Sequence, residues 1–413
     1  MMEQRYETVR TFTEQLCEPL ATEDYVIQSM PDASPTRWHL AHSTWFFEKF
    51  ILEEVFDGAA VDSDVNFLFN SYYNAAGDQF ERSERGLISR PTVAEVYQYR
   101  TEVDRRMLEL LDDLDNLPEA IQFRVEVGLN HEQQHQELML TDLKHMLARN
   151  PLEPVAYETA AVRLVGEASE TPALRWRTFD GGVREIGHDG DGFSFDNERS
   201  RHEALIHPFE IANRPVTNGE YIEFIEDGGY GDSRLWLSEG WTTVQAEGWE
   251  APLYWEKRDG QWWQFTLGGM REVDPNEPVT HVSYFEADAF ATWADARLPT
   301  EFEWEVASRA ANTTGTFADS GRYHPAPAGD VDETELHQFL GDVWEWTASS
   351  YAAYPGFEPW EGAIGEYNGK FMCGQYVLRG GSCATSESHI RPTYRNFFYP
   401  PSRWQYSGIR LAR

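Results

Sequence analysis

The chain has 413 residues, 41% of them hydrophobic and 14% aromatic, which exceeds what one core usually takes up and is ample for burial in two domains. Its formal net charge of −36, from 70 acidic against 34 basic residues, repels phosphates over most of the surface and argues against nucleic-acid partners. No apolar run is long enough to span a bilayer, and the charged start Met1-Met2-Glu3-Gln4-Arg5-Tyr6-Glu7 does not read as a signal peptide, so no membrane partner and a cytoplasmic protein are expected.

Only four of the basic residues are lysines (Lys49, Lys144, Lys257, Lys370), and with the acidic excess this has the look of a salt-adapted surface. Cys17, Cys373 and Cys383 are widely spaced and form no C-x-x-C pair, which predicts neither a disulfide framework nor a thiolate zinc site. Cys373 and Cys383 are expected to be small buried thiols.

In chain order, residues 1–152 read as helices that pack as a four-helix bundle. Ser34-Pro35 is a helix-start signal, and it opens an aromatic-rich amphipathic helix through Thr36-Arg37-Trp38-His39-Leu40-Ala41-His42 to Trp45-Phe46-Phe47. Apolar positions recur at three- and four-residue spacing from Val93 to Leu111 and again after His135. Pro151 and Pro154 stop the last helix, and residues 153–173 read as a linker. From residue 174 to residue 413 the texture changes to short aromatic strands, glycine turns and one amphipathic helix over Glu286–Ala294, with no repeat of 20–50 residues. The fold class expected is α+β.

The most informative stretch is His131-Glu132-Gln133-Gln134-His135. Residues i and i+4 of a helix lie about 40° apart on one face, so the two imidazoles can share one metal ion. The literal H-E-x-x-H pattern suggests a zinc protease with Glu132 as general base, but that reading needs a third ligand. The metzincin extension would place Gly and His where the chain has Leu138 and Thr141, and His145 is about 15 Å farther along the helix axis. The segment around His39 and His42 offers a third imidazole from another helix.

Trp38-His39-Leu40-Ala41-His42 and His131-x-x-Gln134-His135 resemble the N-terminal DinB-like domain of the ergothioneine-type sulfoxide synthases, non-haem iron enzymes that join a sulfur donor to a histidine derivative. The resemblance implies His42, His131 and His135 as iron(II) ligands, with dioxygen as co-substrate, and His39 as a hydrogen-bonded packing residue. Four later segments, Pro215–Tyr221, Arg297–Glu305, Gly341–Thr347 and Leu378–Ser382, resemble the formylglycine-generating-enzyme fold, a C-type-lectin-like domain. In these synthases that domain supplies one wall of the cleft over the iron. Together the two likenesses cover nearly the whole chain.

The same resemblance implies roles for other residues. Gln134 would hydrogen-bond the imidazole of the histidine-derived substrate, although on the helix it points about 100° from His135. Asn396 matches a second position touching that substrate, and Phe397 an aromatic position beside it, suited to a trimethylammonium group through cation–π attraction. Phe67-Leu68-Phe69-Asn70-Ser71-Tyr72-Tyr73 carries the tyrosine pair of one subgroup, which implies Tyr72 and Tyr73 as proton donors. Arg82 is the better choice for the sulfur donor's carboxylate, with Arg85 assisting, because a guanidinium grips both oxygens.

Two departures bear on the donor. Phe398 stands where actinobacterial members have an Asp that holds γ-glutamyl-cysteine, and Gln375 stands where they have their catalytic tyrosine. Both point to the subgroup using free cysteine. The expected reaction joins cysteine to C2 of hercynine, giving hercynylcysteine sulfoxide. Relatives on the same scaffold use histidine with C5 regiochemistry or a selenium donor. A zinc protease, an oxygen-independent DinB-like thiol transferase and a silent lectin-like binding module are the readings from other classes.

Overall fold

A computed structural model of the chain describes residues 2–56, 61–157, 171–190, 192–312, 314–329, 332 and 335–413. The chain divides into two compact units, one of Met1–Pro151 with Pro359–Tyr367, the other of Leu152–Glu358 with Asn368–Arg413. The linker expected over 153–173 falls largely on residues 158–170, outside the described residues.

The first unit is helical, with α1 (Met2–Cys17), α2 (Thr36–Phe47), α3 (Glu53–Val55), α4 (Ser63–Phe69), α5 (Val93–Leu111) and α6 (Glu119–Ala148). Three of the starts follow local chemistry. Pro35 presets an extended N-cap for α2, Thr92 and Glu95 form a capping box on α5, and α6 begins immediately after Pro118. The four long helices α1, α2, α5 and α6 close over one core, to which Tyr6, Val9, Phe47, Val103, Met107, Leu110, Val125 and Leu129 contribute.

Contrary to the amphipathic pattern expected for it, α2 has all twelve residues buried. It runs between α5, α6 and α4, so its polar side chains face other helices rather than water. Gly128 of α6 allows a close approach to α2, since a Cβ there would lie 2.6 Å from the Phe47 ring. That approach fixes the spacing between the helix carrying His42 and the helix carrying His131.

In the second unit β1 (Trp176–Phe179) pairs antiparallel with β4 (Phe209–Ala212), and β2 (Gly182–Ile186) with β3 (His202–Ile206). Strands β5 (Trp255–Arg258), β6 (Gln261–Thr266) and β7 (Gly269–Glu272) form a meander. A four-stranded sheet has the order β10 (Asn396–Phe398), β9 (Tyr376–Arg379), β8 (Trp344–Ser350), β11 (Ser407–Gly408), with β11 parallel to β8. The helices are α7 (Asn218–Glu226), α8 (Ser238–Glu247), α9 (Tyr284–Trp293) and α10 (Glu301–Ser308).

The motif segments of this unit prove to be its buried framework. Trp344, Glu345 and Trp346 are all buried, and the Glu345 carboxylate accepts from Arg410 at 2.7 Å and from the Trp304 indole at 2.5 Å. A charge so enclosed is tolerated because every partner is present. Gly380 sits at φ +102°, where a Cβ would be 2.5 Å from the Phe339 carbonyl oxygen, so only glycine fits. Cys17 and Cys383 are buried, whereas Cys373, expected to be buried as well, is exposed. It lies in a tight turn ahead of β9, its N–H on the Phe371 carbonyl at 2.7 Å and Gly374 following at φ +69°. Among the described residues no helix is long and apolar enough to cross a membrane.

Candidate metal centre

His131 and His135 stand one turn apart on α6, and α2 brings His42 against them. One nitrogen from each ring lies within 4.8 Å of the other two. His42 and His131 are buried, with Nε2 of one 3.1 Å from Nε2 of the other, and His135 is partly buried. The His42 ring is held by a column of aromatic planes. Trp38 stacks on it at 4.5 Å between centroids and Trp45 at 5.5 Å, while Phe46 stacks on His131 at 4.3 Å.

Burial pushes all three imidazoles well below the usual histidine pKa, and each neighbouring ring disfavours a second positive charge. They are neutral, the state a metal requires. His42 Nδ1 lies 2.6 Å from the Phe69 carbonyl oxygen, which only accepts, so Nδ1 carries the hydrogen and Nε2 presents its lone pair inward. His39 is hydrogen-bonded to His135 and Asp142, and His145 is engaged with Ser29 at 2.7 Å, away from the cluster.

A divalent first-row ion fits these residues. Two adjacent ligands of one ion with bonds of about 2.1 Å stand about 3 Å apart, close to the 3.1 Å observed between His42 and His131. Among the described residues His131 Nδ1 is buried without a hydrogen-bond partner. Neutral imidazoles suit iron, zinc, copper and nickel alike, and with three protein ligands an octahedral ion keeps positions open for reactants.

Glu132 has no access to this centre. It is fully buried on the other side of α6, where its carboxylate accepts from Arg10 at 2.7 Å, Arg100 at 2.6 Å and Thr13 at 2.6 Å. Burial alone would raise its pKa, but Arg10 and Arg100 outweigh that and hold it below the ordinary value. A carboxylate saturated by two guanidinium groups is no general base, which removes the residue on which the protease reading depended.

The segment Phe69–Tyr73 forms one side of the centre. The Asn70 amide clamps its own loop, accepting from Tyr73 N–H at 3.0 Å and donating to the Tyr73 and Gly77 carbonyls at 2.9 and 3.0 Å. Tyr72 and Tyr73 stack at 4.5 Å with hydroxyls 3.4 Å apart. Tyr73 is fully buried, and burial raises its pKa well above the usual phenol value, so it holds its proton. Arg85 is buried too. Its guanidinium lies 3.4 Å from the Trp38 ring centroid and donates to Ser34 Oγ at 2.9 Å and Ser71 Oγ at 3.2 Å. Among the described residues it makes no ion pair, and its Nε has no partner. Arg82, the residue favoured from the sequence, is instead exposed, with Nη2 on the Asp32 carbonyl at 2.5 Å.

The excursion Pro359–Tyr367 joins this unit and was not foreseen. Glu366 accepts from the N–H groups of Asn74 and Ala75 at 3.1 and 2.7 Å, and Trp360 packs edge-on against Phe123 at 5.1 Å. Tyr367 donates its hydroxyl hydrogen to Gln134 Oε1, and its ring lies 5.9 Å from that of His131. Nothing in the local pattern of this stretch sets it apart; its role follows from tertiary placement.

The remaining residues singled out from the sequence belong to the second unit. Asn396, Phe397 and Phe398 make up β10, paired with β9, and Gln375 immediately precedes β9. Asn396 Oδ1 accepts from Phe397 N–H at 2.9 Å, Phe397 stacks on Tyr351 at 4.0 Å, and Phe398 meets Trp404 edge-on at 5.6 Å. Gln375 is buried and donates to the Phe371 carbonyl at 3.2 Å.

Residues 5–139 match the DinB superfamily, and residues 164–413 match the sulfatase-modifying factor enzyme 1-like domain. The chain is 35% identical to the hercynine oxygenase of Mycobacterium tuberculosis, across 92% of this chain and 91% of that protein. It is 35% identical to the hercynine oxygenase of Mycolicibacterium smegmatis, across 93% and 92% respectively. The formylglycine-generating enzyme of Streptomyces coelicolor is 27% identical and matches 61% of this chain. With likeness running through both domains and the histidine cluster between two of the bundle's helices, the chain belongs to the hercynine oxygenase family and is an oxygen-dependent enzyme.

Proposed function

We propose that this enzyme is an iron(II)-dependent sulfoxide synthase of ergothioneine biosynthesis, acting in the cytoplasm, that joins the sulfur of cysteine to C2 of hercynine. The observation that carries the reading is the pairing of three converging imidazoles with a buried guanidinium that makes no ion pair among the described residues, on the same aromatic column: Arg85 on Trp38, Trp38 on His42. A substrate carboxylate would supply the charge Arg85 lacks. The names of the relatives support the pathway.

The overall conversion balances as cysteine plus hercynine plus dioxygen to hercynylcysteine sulfoxide plus water. One S–H and one C2–H bond break, a C–S and an S–O bond form, and the second oxygen atom leaves as water. Bound iron(II) would supply the open positions where thiol, imidazole and dioxygen meet and the electrons that start dioxygen reduction. Its ligands would be His42, His131 and His135.

Everything else falls to the protein. Arg85, with Arg82 at the rim, holds the cysteine carboxylate through paired N–H donors. Gln134, fixed by the Tyr367 hydroxyl, orients the hercynine imidazole. The Tyr72–Tyr73 pair delivers a proton to the oxygen that becomes water, because a buried phenol stays protonated until a stronger base forms beside it. Asn396 and Phe397 are assigned to hercynine, Phe397 to its trimethylammonium group. Phe398 and Gln375 are assigned to donor choice, since an apolar Phe398 offers no charged contact for a γ-glutamyl ammonium.

Mass spectrometry of products from iron(II)-loaded protein in air tests this, given hercynine with equimolar cysteine and γ-glutamyl-cysteine. A single cysteine adduct is expected. The γ-glutamyl adduct would overturn the donor and leave the class standing. No adduct with oxygen unconsumed, and none with histidine or a selenium donor, would overturn the reaction.

A further inference from the structure

Behind the three imidazoles runs a hydrogen-bonded chain in which the family likeness gives His39 only a packing role and the expected ligand set has no part for Asp142. Asp142 Oδ2 is 2.8 Å from the Ser34 N–H and 3.1 Å from His39 Nε2, and His39 Nδ1 is 2.8 Å from His135 Nδ1. Asp142 and His39 are buried at 6% and 3% exposure, so water does not substitute for these partners. Asp142 lies on α6 two turns beyond His135, His39 lies in the first turn of α2, and Ser34 precedes that helix by two residues.

With Asp142 a carboxylate, which only accepts, and one hydrogen on each imidazole, the direction of every hydrogen in this chain is set, beginning from a backbone N–H that only donates. Asp142 Oδ2 therefore accepts from Ser34, and the same oxygen accepts from His39, which puts the imidazole hydrogen of His39 on Nε2. His39 Nδ1 is then a lone pair. The nitrogen facing it, His135 Nδ1, must carry a hydrogen, which leaves the lone pair of His135 on Nε2. The tautomer a metal needs at His135 is thus written from Ser34, three hydrogen bonds away.

We infer that His39 and Asp142 are positioning residues which lock His135 as the Nδ1–H tautomer and so set the affinity of the metal centre. This rests on the reading of His42, His131 and His135 as ligands. Each ligand whose second nitrogen is engaged has it fixed by a different device, the Phe69 carbonyl for His42 and an imidazole–carboxylate relay for His135. A relay through a second imidazole also fixes the ring plane, since His39 and His135 centroids stand 5.1 Å apart with rings inclined at 55°.

Two measurements test it. In metal-free protein labelled with 15N-histidine, long-range nitrogen–proton correlation spectra should show His135 protonated at Nδ1 and His39 at Nε2, with assignments made from His39→Phe and Asp142→Asn. The opposite tautomer at either ring overturns the inference. Calorimetric titration with cobalt(II) then compares affinities. His39→Phe should bind about 10–100-fold more weakly than wild type and give a shifted cobalt d–d spectrum. Asp142→Asn keeps an acceptor oxygen for both Ser34 and His39, so its loss should be smaller than that of His39→Phe and its spectrum close to wild type. Equal affinity and an unchanged spectrum in His39→Phe would refute the positioning role. If His39→Phe does not fold, Asp142→Leu, which removes the acceptor, makes the same comparison. Wild-type protein that binds no cobalt at all would instead refute the metal centre itself, leaving the tautomers to the first measurement.

Discussion

Glu132→Gln separates structure from catalysis more sharply than any other substitution in the H-E-x-x-H stretch. The Glu132 carboxylate is fully buried and accepts three hydrogen bonds, two of them from the guanidinium groups of Arg10 and Arg100. Removing one member of a buried ion network costs about 3–5 kcal/mol, because the remaining charges stay behind without compensation. Here the compensation lost is partial. Arg10 keeps Asp104 at 2.6 Å, and Arg100 keeps Glu14 at 3.1 Å and the Arg10 carbonyl at 2.9 Å. The lower half of that range is therefore expected, which lowers the melting temperature of the helical unit by roughly 10 °C at about 2–4 °C per kcal/mol. Differential scanning calorimetry gives the shift, and turnover per bound iron at 15 °C should stay within about threefold of wild type. Acid unfolding supplies the sign. The folded pKa of Glu132 lies below its ordinary value of 4.5, so its stabilisation is complete above that value and is lost as pH falls through the folded pKa. The variant should accordingly lose less stability than wild type between pH 5 and the acid limit. A variant that melts with wild type but turns over a hundredfold more slowly would show that Glu132 acts in the chemistry and refute this account.

Other expectations rest on the same contacts. Arg85→Met should raise the KM for cysteine about tenfold or more, the size of a lost charge-assisted pair, while Arg82→Met changes it less; the reverse order would move the carboxylate to Arg82. Replacing Tyr72 and Tyr73 singly by Phe should, in at least one case, divert consumed oxygen from sulfoxide to cysteine sulfinate; an unchanged product ratio in both variants makes the pair packing alone. Raising potassium chloride from 0.1 to 2 M should raise the melting temperature, since salt screens the self-repulsion of a chain with a net charge of −36; a flat or falling curve refutes salt adaptation of the surface.

Much of this protein is legible in one dimension because its chemistry is periodic. The four-residue spacing of His131 and His135 dictates a shared helix face before any coordinates are known. Pro35 and the Thr92–Glu95 box mark helix starts by local hydrogen bonding alone. The dense tryptophan and glycine motifs between Pro215 and Ser382 imply the second domain, and they turn out to be buried framework, as Glu345 between Trp344 and Trp346 illustrates.

Tertiary structure decided the rest, wherever partners far apart in the chain compete for one side chain. From sequence, Arg82 and Arg85 are guanidiniums three residues apart, and Arg82 is the one favoured for the donor carboxylate. Only the approach of Trp38, Ser34 and Ser71 buries Arg85 and leaves Arg82 on a surface carbonyl. Glu132 reads as a general base until α1 and α5 bring Arg10 and Arg100 onto it. α2 reads as amphipathic until helices enclose it on every side, and Tyr367 has no local signature because its partner, Gln134, lies 233 residues away. Spacing along a helix is a property of the backbone and is written in the sequence, whereas burial and hydrogen-bond direction depend on which distant residues arrive, as the Ser34 N–H does when it orders the hydrogens from Asp142 through His39 to His135.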